Sequence, residues 1–205
     1  MSSKRDVLLI DCRSEHEIER DLVSEAQVLR AVLANRNGDG GPAISTFVSR
    51  KSFRRWFPTA PKDFRAIHIA SHAWVSEDKK AVGLSFIDGW ASWQTIAYKL
   101  VRLVPALSPS SQRILTLSCC YAGTAAENLG PLLSGHFSLI YYLSKANGKE
   151  LLDFDLAATV WSMFYLRKNL AADLHMGRKT RTAINAFLKA EQLQDRLKKR
   201  SVARP

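Results

Sequence analysis

Short apolar runs alternate with segments of helical periodicity along this chain, and this alternation constrains the fold more than any other feature. Strand-like runs are predicted at residues 7–12, 43–49, 65–73, 113–120 and 136–143, with a hairpin-like pair or short strand at 81–89. Helices are predicted at residues 14–35, 50–61, 90–107, 153–174 and 178–199, and a helix or loop at 124–133. Strands that alternate with helices form mostly parallel sheets covered by helices on both faces. We therefore predict an α/β domain with a central sheet of about five to six strands.

The 205 residues are enough for one domain with a substantial core, and no internal repeat or low-complexity linker divides them. No apolar run reaches the ~18 residues of a membrane span. The apolar run near the N-terminus, Val7 to Ile10, is too short for a signal peptide and is typical of a strand. The three cysteines of a chain that is not exported should stay reduced, so we predict a cytoplasmic protein without a disulfide framework.

The positive charge of the chain is concentrated at its C-terminal end. Residues 178–205 carry nine basic and two acidic residues, a net charge of +7, out of +11 for the whole chain. Such a segment can attract nucleic acid, an acidic membrane or an acidic partner. The simpler interpretation is a solvated end, since Phe187 is the only aromatic residue among these charges. We therefore predict a domain over residues 1–190 and a basic C-terminal tail over residues 191–205.

Two chemically versatile side chains follow predicted strands of the sheet. The strand RAIHIASHA delivers His72, and the strand RILTLSCC delivers Cys119 or Cys120. In parallel sheets the active residues gather at the carboxyl ends of the strands, so we expect the imidazole and one thiol to lie close together. Adjacent residues of a strand point to opposite faces, so one cysteine should face the interior and the other the edge of the sheet. Periodicity alone leaves open which cysteine does which.

A histidine beside a cysteine is the pair that acyl transfer to sulfur requires. The histidine can take the thiol proton or hold the thiolate as an ion pair. The oxyanion that forms needs two donors, and the backbone N–H groups of Cys120 and of the HAW segment after His72 can supply them. The alternatives are a hydrogen-bonded structural histidine and a cysteine that acts only as a small hydrophobic residue. Metal binding is not expected, because adjacent cysteines of a strand cannot easily hold one ion and the chain has no CxxC pair.

These residues resemble a known family. The motif IHIASHA resembles the histidine motif of CHAT-type and other caspase-like (clan CD) cysteine peptidases, and LTLSCCYAG resembles their cysteine motif. His72 and Cys120 are 48 residues apart, close to the ~50-residue interval between histidine and cysteine in caspases. The segment after 153 is similar to the closing helices of the family. The resemblance covers residues 7–190 and implies a caspase-like three-layer sandwich.

The resemblance also implies residue roles. Matching Gly123 to the family glycine makes Cys120 the nucleophile and Cys119 its buried neighbour, with His72 as general base. Ala73 stands where the family has glycine, and alanine at a positive φ would cost energy in the oxyanion hole.

The resemblance directs attention to three candidate residues for the specificity pocket. Ser118 stands where metacaspases often carry an aspartate that binds a basic side chain of the substrate. Asp11 could supply a negative charge to the pocket instead, or it could be a turn residue. Arg13 is the rival pocket residue and would select acidic side chains. The sequence leaves these alternatives open.

The function implied by the resemblance is cleavage of a cytoplasmic protein partner by a His–Cys dyad, without a cofactor or metal. Family members are often regulated, and they commonly act in bacterial defence or cell-death pathways, so a separate activator protein or complex is an expected partner. Two alternatives remain: a catalytically weak or inactive scaffold or adaptor, suggested by Ala73, and a basic nucleic-acid-associated module, suggested by the C-terminal charge.

Overall fold

The computed structural model describes residues 7–12, 24–37, 43–56, 64–77, 81–108, 111–145, 154–166, 182, 184–186, 189 and 195–203. The strands are β1 Val7–Cys12, β2 Ala43–Thr46, β3 Ala66–Ser71, β4 Ala73–Val75, β5 Ala81–Phe86, β6 Gly89–Ser92, β7 Ile114–Ser118, β8 Leu139–Lys145 and β9 Asp195–Ser201. The helices are α1 Glu25–Asn37, α2 Arg50–Arg55, α3 Trp93–Leu103, α4 Ala122–Leu132 and α5 Phe154–Leu166.

The central sheet has six strands in the order β2-β1-β3-β7-β8-β9. The first five are parallel to one another, and β9 runs antiparallel to β8. This confirms the predicted mostly parallel sheet. A second, antiparallel sheet has the order β4-β5-β6. The segment 81–89, predicted as a hairpin-like pair or a short strand, contains the single strand β5 and a turn, and the hairpin partner β6 includes residues 90–92, which were predicted to be helical.

Helices cover the sheet on both faces because its strands are apolar on both sides. Leu8 and Ile10 of β1 belong to one buried cluster, which includes residues of α3, α4 and the small sheet. Val7 and Leu9 belong to a second cluster, which includes residues of α1 and α5. The result is the predicted three-layer arrangement. No helix among the described residues is both long enough and apolar enough to cross a bilayer.

The helix starts follow local hydrogen bonding. The Ser24 hydroxyl accepts from the Gln27 N–H at 3.2 Å, and the Gln27 side chain accepts from the Ser24 N–H at 2.9 Å, a capping box that starts α1 at Glu25. The sequence predicts a start near residue 14, but residues 13–23 lie outside the described part. Helix α3 begins at Trp93 rather than at residue 90, because residues 89–92 pair with β5 and the Ser92 hydroxyl accepts from the Thr95 N–H.

The C-terminal end differs most from the prediction. Residues 195–199 are predicted to continue a helix into a solvated tail, whereas they belong to β9, which pairs with β8 along its whole length. Leu197 and Val202 are buried, and the Val202 N–H donates to the carbonyl of Ser138 at 2.9 Å. The prediction of a frayed tail over residues 191–205 is therefore wrong for residues 195–203.

Candidate active site

The candidate dyad follows two hydrogen-bonded neighbours in the central sheet. Ala70 of β3 pairs with Ser118 of β7, and His72 and Cys120 each come two residues after that pair. Paired strands lie about 4.8 Å apart, so the two residues leave the sheet side by side at its carboxyl edge. Both side chains are half-buried, although the strands that lead to them are buried throughout. The expected meeting of these two strand ends is thus observed.

The two adjacent cysteines occupy different environments. Cys119 is only 2 % exposed and packs in the cluster on the α3–α4 face of the sheet. Cys120 is half-buried at the carboxyl edge. The alternation expected from the strand therefore separates a packed thiol from an accessible one.

The chain turns sharply after Cys120. Tyr121 has φ 57° and ψ 32°, the left-handed conformation, and it is the only non-glycine residue with positive φ in the described part of the chain. Such a conformation costs a bulky residue roughly 1–2 kcal/mol. Helix α4 begins at the next residue and has no acidic side chain in its first turn. Because the helix begins two residues after Cys120, the positive end of its dipole lies beside Cys120 and favours negative charge there.

The backbone N–H of Ala73, the residue after His72, lies on the outer strand of the small sheet and points away from β5. The Ser85 N–H donates to the carbonyl of His72 at 2.9 Å, and Ala73 lies opposite Leu84. This pattern makes Ala73 and Leu84 a non-hydrogen-bonded pair, so the N–H of Ala73 points away from β5. Strand β4 is the outer strand of its sheet. The φ of Ala73 is not positive, so alanine is accommodated here without the strain that motivated the inactive-scaffold alternative.

Two of the three predicted pocket residues, Asp11 and Ser118, are buried in the same row of the central sheet. Asp11 of β1 pairs with Ala70 and Ala70 with Ser118, so the three residues form one row across the sheet, one layer below the dyad. Asp11 is 3 % exposed. The Ser118 side chain is fully buried, and its hydroxyl donates to Glu25 Oε2 at 2.6 Å. The Ser118 hydroxyl is thus bonded within the protein interior, and a role of Ser118 in a specificity pocket stays a prediction. Arg13 lies outside the described residues.

A buried polar network beneath the dyad was not predicted from the sequence. His68 Nε2 lies 2.7 Å from Glu25 Oε1, and His68 Nδ1 lies 2.7 Å from the hydroxyl of Thr116. That hydroxyl in turn lies 2.6 Å from the hydroxyl of Tyr165, whose pKa is raised well above its usual range by burial. Together with Ser118, these residues join α1, β3, β7 and α5. The sequence signal was His68, a polar residue between Ile67 and Ile69 in the middle of strand β3.

Cys12 carries the third thiol and directly follows Asp11 in the chain. Burial, with a further contribution from the negative charge of Asp11, raises the pKa of Cys12 to about 12, although a hydrogen bond with Ser71 opposes the shift. Cys12 is therefore a neutral, packed thiol. Among the described residues, no three His, Cys, Asp or Glu side chains converge as metal ligands.

Comparison with known proteins finds similarity in structure but not in sequence. No protein-family model matches the chain, and no curated protein sequence matches it. Caspase-1 from Spodoptera frugiperda, a solved structure, superimposes with a TM-score of 0.52 over 98 % of this chain and 88 % of that chain. The fold is caspase-like. The sequence identity is 13 %, so this likeness establishes the caspase-like fold alone. The superposition covers nearly the whole chain.

Proposed function

We propose that this protein is a cysteine endopeptidase of the CHAT type, with Cys120 as nucleophile and His72 as general acid and base. The observation that carries the proposal is the common position of the two residues, two steps beyond the pair Ala70–Ser118 on neighbouring strands. An accessible thiol and an imidazole at one sheet edge are the groups that acyl transfer to sulfur requires.

Three further features support the proposal. The left-handed Tyr121 is a strained residue directly after Cys120, and such strain is concentrated at functional sites. The first turn of α4 favours negative charge on the reacting atoms. The N–H of Ala73 points away from the β5 ladder, and we propose that it and the N–H of Cys120 are the two donors of the oxyanion hole.

In the proposed reaction, His72 takes the proton of the Cys120 thiol as the sulfur attacks the carbonyl carbon of a peptide bond. A C–S bond forms, and the carbonyl oxygen becomes an oxyanion held by the two backbone donors. The C–N bond then breaks, and His72 gives the proton to the leaving amine. Water, deprotonated by His72, attacks the thioester and releases a carboxylic acid, while the thiol of Cys120 is restored.

The row formed by Asp11, Ala70 and Ser118 is the basis of a proposal for the substrate side chain that the enzyme prefers. Asp11 lies one layer below the dyad, separated from Ser118 by the small side chain of Ala70. A buried carboxylate at this position favours a basic substrate side chain, so we propose cleavage after lysine or arginine. Arg13 remains the competing pocket residue, which would favour acidic side chains. The substrate would be a cytoplasmic protein, with an activator controlling its cleavage in a defence or cell-death pathway.

Thiol mapping tests the nucleophile. The full chain is treated briefly with iodoacetamide, and the modified cysteines are identified by mass spectrometry, in parallel with cleavage of a denatured protein substrate. We expect rapid alkylation of Cys120 alone and no cleavage by Cys120→Ala or His72→Ala. The matched control, Cys12→Ala, removes a packed thiol and should keep the activity. Cleavage by Cys120→Ala together with none by Cys119→Ala would show that the other cysteine is the nucleophile.

A peptide-library cleavage profile tests the pocket. We expect cleavage after basic residues and a loss of that preference in Asp11→Asn, whereas Arg13→Gln should leave it unchanged. A preference for acidic residues that disappears in Arg13→Gln would assign the pocket to Arg13 instead. If the native protein cleaves no library member and its Cys120 also resists alkylation, the protein is the inactive scaffold.

A further inference from the structure

A cavity between α2 and α3 lies outside the candidate active site and has the size of a small-molecule site. Its volume is about 450 Å³, within the range of ligand pockets. Residues of both helices line it, among them Phe53 and Arg54 of α2 and Thr95, Tyr98 and Lys99 of α3. A single inorganic anion would leave most of this volume unfilled, so the space fits an organic molecule.

All the charged side chains that line the cavity, among the described residues, are positive. Arg54, Lys99 and Arg102 line it, and no carboxylate does so among the described residues. Lys99 is only 1 % exposed, and its ammonium donates to the carbonyl of Arg54 at 3.3 Å. Burial, and then the charge of Arg102, lowers the pKa of Lys99 to about 8. Three cations gathered around one space repel one another, and a multiply charged anion removes that repulsion.

The cavity also offers aromatic surface. The ring of Tyr98 is 58 % exposed, and the guanidinium of Arg102 lies 5.3 Å from its centre while donating to the Tyr98 hydroxyl at 2.8 Å. The buried Phe53 ring forms another part of the wall. A flat, apolar group can contact the exposed ring of Tyr98 while a charged group reaches the exposed guanidinium groups of Arg54 and Arg102. Both requirements are met by a molecule with a planar ring and a phosphate, which carries about two negative charges at neutral pH.

We propose that this cavity binds a small organic phosphate of the nucleotide class, with the exposed Arg54 and Arg102 contacting the phosphate and Tyr98 the planar base. The site is separate from the proposed dyad, because its lining residues come from α2 and α3. Binding does not require peptidase activity, and Cys120→Ala should bind the same ligand.

The test is calorimetric titration of the full-chain protein with ADP at about 0.15 M salt, where exposed charges are largely screened. Adenosine and inorganic phosphate serve as the two partial ligands. We expect saturable binding of one ADP per chain, weaker binding of inorganic phosphate and weakest binding of adenosine. Binding of inorganic phosphate as tight as that of ADP would overturn the nucleotide assignment, and so would the absence of saturable ADP binding.

Variants place the binding in the cavity. Arg102→Gln and Arg54→Gln should each weaken ADP binding about tenfold, the loss expected for one charge-assisted contact. The matched control is Arg55→Gln, which removes an equal charge from α2 at an exposed residue that does not line the cavity. Its affinity should stay within about twofold of the unsubstituted protein. An equal loss in Arg55→Gln and Arg102→Gln would show diffuse attraction to a basic protein and overturn the proposal.

Discussion

Glu25 is the residue on which the buried network depends, because it accepts hydrogen bonds through both carboxylate oxygens. One oxygen contacts His68 and the other Ser118, and all three side chains are withdrawn from solvent. Buried ionisable groups are tolerated only when such partners satisfy them. The network fixes α1 against β3 and β7, and Ser118 lies only two residues before Cys120.

Removing Glu25 should therefore destabilise the protein strongly. Glu25→Leu leaves His68 Nε2 and the Ser118 hydroxyl without their acceptor, and we expect a loss of about 3–5 kcal/mol in the free energy of unfolding. Urea denaturation followed by circular dichroism measures it. Glu127→Gln, at an exposed position of α4, is the control and should change stability by less than about 0.5 kcal/mol. A loss below about 1 kcal/mol in Glu25→Leu would mean that the network contributes little.

Lys99 should make stability depend on pH above neutrality. Its folded pKa of about 8 is below the ordinary value of 10.5, because of burial and then of Arg102, and Arg54 of α2 also faces it. Between these two values the unfolded chain binds more protons, so stability should rise with pH over that range. The rise should be absent in Lys99→Met. Thermal unfolding of both proteins from pH 7 to 10 measures this difference, and parallel curves would contradict it.

At the residue scale, the sequence predicted which two strand ends lie side by side, but not the buried network beneath them. His72 and Cys120 could be found because each follows an apolar strand, and strand ends of a parallel sheet converge. Glu25 and His68 are 43 positions apart, and only the packing of α1 on β3 brings them together. The contact between Ser118 and Glu25 could not be predicted for the same reason, since alternation along β7 does not reveal which helix covers the Ser118 side chain.

Among the elements, β9 shows how tertiary structure overrides local preference. Its lysines and arginines favour a helix, and the sequence offers only Leu197 as an inward-facing apolar residue. The edge of β8 needs a partner, however, and pairing with residues 195–201 satisfies its backbone groups. The side chain of Arg200 also lies close to Gly130 of α4, where a larger residue would meet it.

The pairing of β9 predicts that Leu197 contributes to the core. Leu197→Ala should lower the free energy of unfolding by about 2–4 kcal/mol, because Leu197 packs with the cluster on the α1–α5 face. The control is Lys199→Ala, an exposed residue of the same strand. Urea denaturation measures both. Equal, small effects would indicate that residues 195–201 behave as the solvated tail that the sequence predicted.

For the whole molecule, the central sheet links the two layers of helices. Strands β1, β3, β7 and β8 contribute residues to both buried clusters. The alternation of apolar runs predicted this sandwich, since parallel strands must be covered on both sides. The C-terminal antiparallel strand and the small sheet could not be fully predicted, because their pairing depends on distant segments.

Shared strands predict cooperative unfolding. The two layers cannot separate without breaking the sheet, so far-ultraviolet circular dichroism and tryptophan fluorescence should report the same urea midpoint. Trp161 reports the α1–α5 face and Trp93 the opposite face. The chain has five tryptophans, so the part of the fluorescence transition that is lost in Trp161→Phe or in Trp93→Phe gives the contribution of that one residue and its face. Two separate midpoints would contradict a single folding unit.

The outer strand β9 also carries Lys198, Lys199 and Arg200, all exposed. An open sheet ends in unpaired backbone groups, and these can recruit strands from other molecules into growing fibrils. A second chain that approached this border would meet a row of like charges at close range. The opposite border, β2, is only four residues long. The same cations that give the chain its basic end therefore protect it, at high concentration, against aggregation by strand addition.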